Sequence, residues 1–166
     1  MKRSPQPHSH FRSSLLLWKS LVLAAGIFNS TAFAEPNRVR FPEDLERMIH
    51  YATVTRGEST ERMLTTQSVL DAIRQGKATP SGSRVVLADF RDGKPYRYFV
   101  MEKGEGWGKD YDERRRTADW QFQWFWPDKS LNLKENTARC QSCHQSREDE
   151  EYLYTAADMR KPARQK

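Results

Sequence analysis

Residues 84 to 101 read RVVLADFRDGKPYRYFVM, two β-rich runs, Arg84 to Phe90 and Tyr96 to Met101, on either side of Asp92-Gly93. Asp-Gly between such runs is the strongest short hairpin signal, because a type I′ turn needs left-handed backbone at both central residues. A two-residue turn there sets an expected register: Arg91 faces Lys94, Asp89 faces Tyr96, Leu87 faces Tyr98 and Val85 faces Val100. One face of the sheet would then carry Val85, Leu87, Tyr98 and Val100. The other would carry Val86, Ala88, Phe90, Phe99 and Met101.

Working outward toward the C-terminus, a Gly-rich loop at Gly104 to Gly108 leads to an expected strand from Asp119 to Trp126. It places Trp120, Phe122, Trp124 and Trp126 on one side and Gln121, Gln123 and Phe125 on the other. An aromatic row at spacing two reads as a core or cofactor wall before it reads as a sugar platform. Toward the N-terminus, Pro80-Ser81-Gly82 is a turn. Ser68 reads as the N-cap of a helix through Val69, Leu70, Ala72 and Ile73 that stops at Gly76. Tyr51 to Arg56 and Glu61 to Thr66 read as strands around Gly57. Phe41-Pro42-Glu43-Asp44 looks like a helix start, with Leu45, Met48, Ile49 and Ala52 at helical spacing. The expected class is α+β: a mostly antiparallel β-sheet with packed helices, closed by a C-terminal helix that carries the chain's only two cysteines.

Those cysteines lie in Cys140-Gln141-Ser142-Cys143-His144, a C-x-x-C-H run. In c-type haem attachment each thiol adds across one vinyl group of the porphyrin and the adjacent imidazole becomes the proximal iron ligand. One segment therefore supplies anchor and ligand, here Cys140 and Cys143 as anchors and His144 as ligand. Two rival readings stay open. Structural zinc would need a fourth ligand, and His50 is the one other histidine after the leader. A redox disulfide has no use for the adjoining histidine.

Lys2, Arg3, Arg12 and Lys19 precede the first acidic residue, Glu35; an apolar stretch runs from Leu15 to Phe28, and Ala32-Phe33-Ala34 is a small-x-small cleavage pattern. Residues 1 to 34 are expected to be a cleaved signal peptide, sending residues 35 to 166 to a periplasm-like compartment. An uncleaved anchor is the alternative, although the working apolar core, Leu21 to Phe28, is too short for a bilayer about 30 Å thick. The chain's formal charge is +6, four of those charges lie in the leader, and the remainder carries +2. The high pI therefore gives no reason to expect nucleic acid as a partner. Arg114-Arg115-Arg116 follows Asp110, Asp112 and Glu113 and reads as a solvated loop. Residues 35 to 160 make one domain, with a polar tail at 161 to 166.

The position of the motif narrows the architecture. Only 22 residues follow His144, which excludes the small all-helical carriers whose motif lies near the N-terminus. The hairpin and the aromatic strand leave too little chain for a four-helix bundle.

Several segments together resemble the cytochrome P-460 family, which includes the sheet-rich cytochromes c-prime-beta. They are Tyr51-Ala52-Thr53-Val54-Thr55-Arg56-Gly57, Gly76-Lys77 leading through Pro80-Ser81-Gly82-Ser83 into a Val-rich strand, and Val100-Met101-Glu102-Lys103 with Gly106-Trp107-Gly108. Trp120-Gln121-Phe122-Gln123, Cys140 to His144, an acidic stretch and Tyr152-Leu153-Tyr154 complete the set. The resemblance implies one haem c with His144 proximal. Hydroxylamine-oxidising members of that family cross-link a lysine to the porphyrin; the count from Gly82 places that position at Leu87, and no lysine lies between Lys77 and Lys94. A distal glutamate of the same members counts onto Tyr98. With the expected register, Leu87 and Tyr98 would line the distal side of the haem together.

For the sixth iron position, neither His50 nor any of Met48, Met63, Met101 and Met159 recommends itself. The expectation is an open site that binds a small molecule such as nitric oxide, with Tyr98 either donating to it or standing as an ordinary strand tyrosine. An oxidoreductase acting on hydroxylamine or nitrogen oxides and a plain electron carrier stay open, as do an unidentified redox partner and a homodimer. Arg139 and Arg147 are candidates for the haem propionates or the proximal side.

Overall fold

The computed structural model describes residues 37–162; the expected signal peptide and the end of the polar tail lie outside the described residues. Five antiparallel strands run as a meander, each paired with its sequence neighbour: β1 (Ile49–Arg56), β2 (Ser59–Thr65), β3 (Arg84–Arg91), β4 (Lys94–Lys103) and β5 (Trp120–Phe125). The α-helices are short: α1 (Gln67–Arg74), α2 (Ala138–Gln145) and α3 (Ala156–Met159). The α+β expectation holds, and α2 contains Cys140, Cys143 and His144.

Alternation along the strands gives the sheet two apolar faces. On one, Val85, Met101, Trp120 and Phe122 pack with Val69, Leu70 and Ile73 of α1 and with Leu153, Ala156 and Met159 around α3. On the other, Val86, Val100 and Phe125 pack with Val39 and Met48, flanked by Phe41, Leu45, Tyr98 and Trp107. The three buried residues of α1 form a stripe on an otherwise polar helix. Each contributes about 1.5–3 kcal/mol by leaving water, far more than the helix's intrinsic propensity.

The β3–β4 turn is as expected, with Asp92 and Gly93 both left-handed (φ 49° and 73°) and Arg91 opposite Lys94. Beyond Phe90↔Pro95 the register differs from the expected one. A bulge makes Tyr96 the extra residue, so that Asp89 faces Arg97, Ala88 faces Tyr98, Leu87 faces Phe99 and Val86 faces Val100. Pro95 explains the slip: it has no N–H to give the ladder, and proline inside a sheet settles at edges and bulges. Because side-chain direction has period two, one inserted residue sends every later β4 side chain to the opposite face.

The expected helix from Phe41 is a single 3₁₀ turn, Leu45–Arg47, after which the chain turns extended at Met48 (ψ 148°) and enters β1. Met48 and Ile49 serve the two opposite faces, an alternation natural to a strand. The helix at residue 67 is preceded by Thr66 as N-cap in place of Ser68.

Candidate functional site

Helix α2 lays one side against β5 and leaves the other in water. Thr137, just before it, and Gln141 are buried, Cys140 and His144 are half-buried, and Cys143 is exposed. The first turn is supported by Asn136, whose Oδ1 accepts from the Ala138 N–H at 2.9 Å. At the other end, Gln145 Nε2 donates to the carbonyls of Glu113 (3.2 Å) and Arg116 (3.1 Å). The loop of Arg114 to Arg116 is thus a dock for the helix terminus and not merely a solvated run.

The His144 imidazole lies between two rings. Phe122 of β5 is 4.8 Å away between centroids and tilted by 49°, and Tyr154 meets it edge-on at 5.1 Å. Its Nδ1 hydrogen bonds the Tyr152 carbonyl at 2.5 Å. A carbonyl only accepts, so Nδ1 carries the proton and Nε2 carries the lone pair. Burial pushes His144 below the ordinary histidine value, against the pull of that carbonyl, and favours the neutral ring.

The carbonyl is presented by an unusual piece of backbone. Glu151 and Tyr152 are both left-handed (φ 56° and 63°) without being glycine, and the Tyr152 N–H returns to the Arg147 carbonyl at 2.6 Å. The hydroxyls of Tyr154 (2.9 Å) and Ser146 (2.7 Å) both donate to the Cys143 carbonyl, and the Arg147 guanidinium lies 4.8 Å over the Tyr154 ring. Arg147 therefore reaches His144 only through the Tyr154 ring, and both it and Arg139 are exposed.

Cys140 joins the apolar cluster of α1 and β5. Burial pushes its thiol up to about 12, against a hydrogen bond from Trp124. Trp124 is in turn covered by the Arg97 guanidinium at 4.4 Å and packs on Phe99 at 4.6 Å. Neither Cys140 nor Cys143 is in a disulfide.

The two residues expected to share the distal side part company. Leu87 stays on the α2 side of the sheet, between Met63 and Phe99 in its row. Tyr98 pairs with Ala88 and Phe125 and meets Phe41 edge-on at 5.1 Å, within the cluster of the opposite face. Its expected place beside Leu87 goes to Phe99, a correction that follows wholly from the bulge. The Tyr152 carbonyl and the partners that position it had no sequence signal, since a main-chain acceptor is common to every residue type.

Among the described residues no group of three or more His, Cys, Asp and Glu side chains converges as an ion cage, and His50 Nε2 is engaged with Thr53 Oγ1 at 2.7 Å on β1. The described residues therefore do not assemble a four-ligand zinc centre. A family model for cytochrome P460 matches residues 42–155. The chain belongs to the cytochrome P460 family. No curated protein matches it. Membership implies a haem cytochrome, and the donor chemistry of this family member fits such a group: two unpaired thiols one helical turn apart, followed by an imidazole whose Nε2 lone pair is fixed by the bond at Nδ1. Among the described residues no helix is long and apolar enough to cross a membrane.

Proposed function

We propose that this cytochrome is a periplasmic mono-haem c protein, exported by a cleaved leader, that binds a small neutral ligand such as nitric oxide. Cys140 and Cys143 would hold the porphyrin by thioether bonds, and His144 Nε2 would be the iron's proximal ligand. Haem supplies an iron centre able to take up a diatomic molecule or an electron. What the chain contributes is orientation and exclusion. Tyr152 fixes the tautomer of His144, Phe122 and Tyr154 hold its plane, and Leu87, Phe99 and Trp124 give the adjacent sheet face an apolar surface.

The observation that carries this reading is the single tautomer of His144 on the same short helix as two free thiols. A sixth side-chain ligand finds no support: His50 is engaged on β1, and Met48, Met63, Met101 and Met159 are all buried core residues. That disfavours a plain electron carrier, which needs two strong axial ligands to limit reorganisation. Leu87 and Tyr98, the positions onto which the cross-linking lysine and the distal glutamate count, supply neither group, and Phe99 rather than Tyr98 stands beside Leu87, which weighs against hydroxylamine oxidation. Optical and spin-resonance spectra of the haem-loaded protein, with and without nitric oxide, test the proposal. A high-spin iron that takes up nitric oxide is expected. A low-spin iron in both oxidation states would refute it, and a strongly red-shifted Soret band would reveal a porphyrin cross-link.

A further inference from the structure

The two left-handed residues behind His144 are tied down by a half-buried ionic clamp, in which the Glu151 side chain is 29% exposed. Glu151 Oε2 accepts from Lys103 Nζ at 3.0 Å, from the Thr79 N–H at 3.0 Å and from Thr79 Oγ1 at 2.9 Å. Lys103 Nζ also donates to Thr79 Oγ1 at 3.2 Å and lies 5.9 Å over the fully buried Trp120 ring. Thr79 is 3% exposed, and the Lys103 side chain 15%. One carboxylate oxygen thus gathers three donors from the end of β4 and from the loop before β3. The residue that bears it immediately precedes the carbonyl that receives His144 Nδ1–H.

On the other side of that carbonyl, Leu153 is 2% exposed in the core. The Tyr152 peptide is therefore held from both flanks, by charge at Glu151 and by burial at Leu153. Without the charge, the left-handed conformation at two successive non-glycine residues is left to the backbone bonds of the Tyr152 and Leu153 N–H groups to Arg147 and Glu150, and the carbonyl is held less firmly on the imidazole.

We infer that Lys103, Glu151 and Thr79 act as a positioning clamp for the proximal histidine: they hold the Tyr152 carbonyl on His144 Nδ1 and so set how strongly Nε2 donates to the iron. The inference rests on the proposed ligation by His144. A firm Nδ1–H···O=C bond leaves more electron density on Nε2, which favours oxidised over reduced iron. Loosening the clamp weakens that donation and raises the midpoint potential.

The test uses the holoprotein with Lys103→Met, Glu151→Gln and the conservative Lys103→Arg, read by potentiometry and by the iron–histidine stretch of the reduced protein. Methionine keeps the apolar stem over Trp120, and Glu151→Gln, which removes the charge but keeps the side chain's shape, serves as the second disrupting variant. Lys103→Met and Glu151→Gln are expected to raise the reduced-to-oxidised ratio at fixed potential by about threefold, equivalent to about 28 mV at 59 mV per tenfold for one electron. The stretch should fall, and Lys103→Arg should restore both readouts. An unchanged potential and stretch in both disrupting variants would overturn the clamp while leaving His144 ligation standing. If His144→Gly leaves potential and stretch as in the parent, the ligation reading itself fails and takes the clamp's role with it.

Discussion

Replacing Asp89 by asparagine should cost the fold about 2–3 kcal/mol at neutral pH, and the loss should shrink as the solution is acidified. Asp89 is 1% exposed and accepts from Ser59 Oγ (2.9 Å), Arg97 Nε (3.1 Å) and Arg91 Nη2 (3.2 Å). Hydrogen bonds to a charged group are each worth about 1.5–3 kcal/mol when shielded. The Ser59 bond is fully enclosed, and the Arg97 side chain is 27% exposed, so these two supply about 1–1.5 kcal/mol each after partial hydration of the arginine. The Arg91 side chain is 45% exposed and adds about 0.5 kcal/mol at most. For a domain of this size, 2–3 kcal/mol corresponds to a fall in Tm of about 8–12 °C.

The pH dependence fixes the mechanism. Burial pushes the Asp89 carboxyl up, but the bonds from Ser59, Arg91 and Arg97 outweigh it and hold the folded-state value below the usual carboxylate range. A depressed folded value means the stabilisation is complete above the unfolded aspartate value of about 3.9 and is lost as pH falls through the folded value. Urea unfolding of parent and variant should therefore give a constant gap from pH 5 to pH 8 that narrows below pH 4. A gap under about 0.5 kcal/mol at pH 7, on the scale of an ordinary surface substitution, or one that is undiminished by acid, would mean that the ionised Asp89 carboxylate does not stabilise the sheet.

Gly108→Ala would drive a Cβ to 2.2 Å from the Ala118 carbonyl oxygen, where only backbone can yield; a loss of about 2–3 kcal/mol in chemical denaturation is expected. Phe122→Ala removes a fully buried ring from beneath His144 and should cost about 3–5 kcal/mol, with altered iron–histidine vibrations in the holoprotein. Tyr98→Phe should leave nitric oxide affinity and the optical spectrum unchanged, because Tyr98 packs with Phe41 and Phe125 on the far face; a clear change in affinity would return Tyr98 to the ligand side.

What the sequence revealed and what it hid divide along physical lines. Asp92-Gly93 announces its turn because the backbone conformation restricts the residue types, and the aromatic row of β5 is legible because its aromatic residues recur at period two, although both faces of the strand are buried. Register is a different matter: it hinges on Pro95, one residue without a donor, and its consequence reaches Tyr98 and Phe99 several positions away. The stretch before β1 has helical spacing at Leu45, Met48 and Ile49, yet the sheet outcompetes a short helix for Ile49. Cys140, Cys143 and His144 are legible as a motif because one helix carries all three. The bond from His144 to a backbone carbonyl, and the link from Lys103 to Glu151 across 48 residues, arise only when distant segments meet, so no local pattern encodes them.

Covalent haem on Cys140 and Cys143 is read by the intact mass of the exported protein after acid extraction of loosely held haem. The parent should retain the mass of one haem, and the Cys140→Ser, Cys143→Ser double variant should retain none. Haem that extracts freely from the parent, or that stays attached to the double variant, would rule out thioether attachment at these two cysteines.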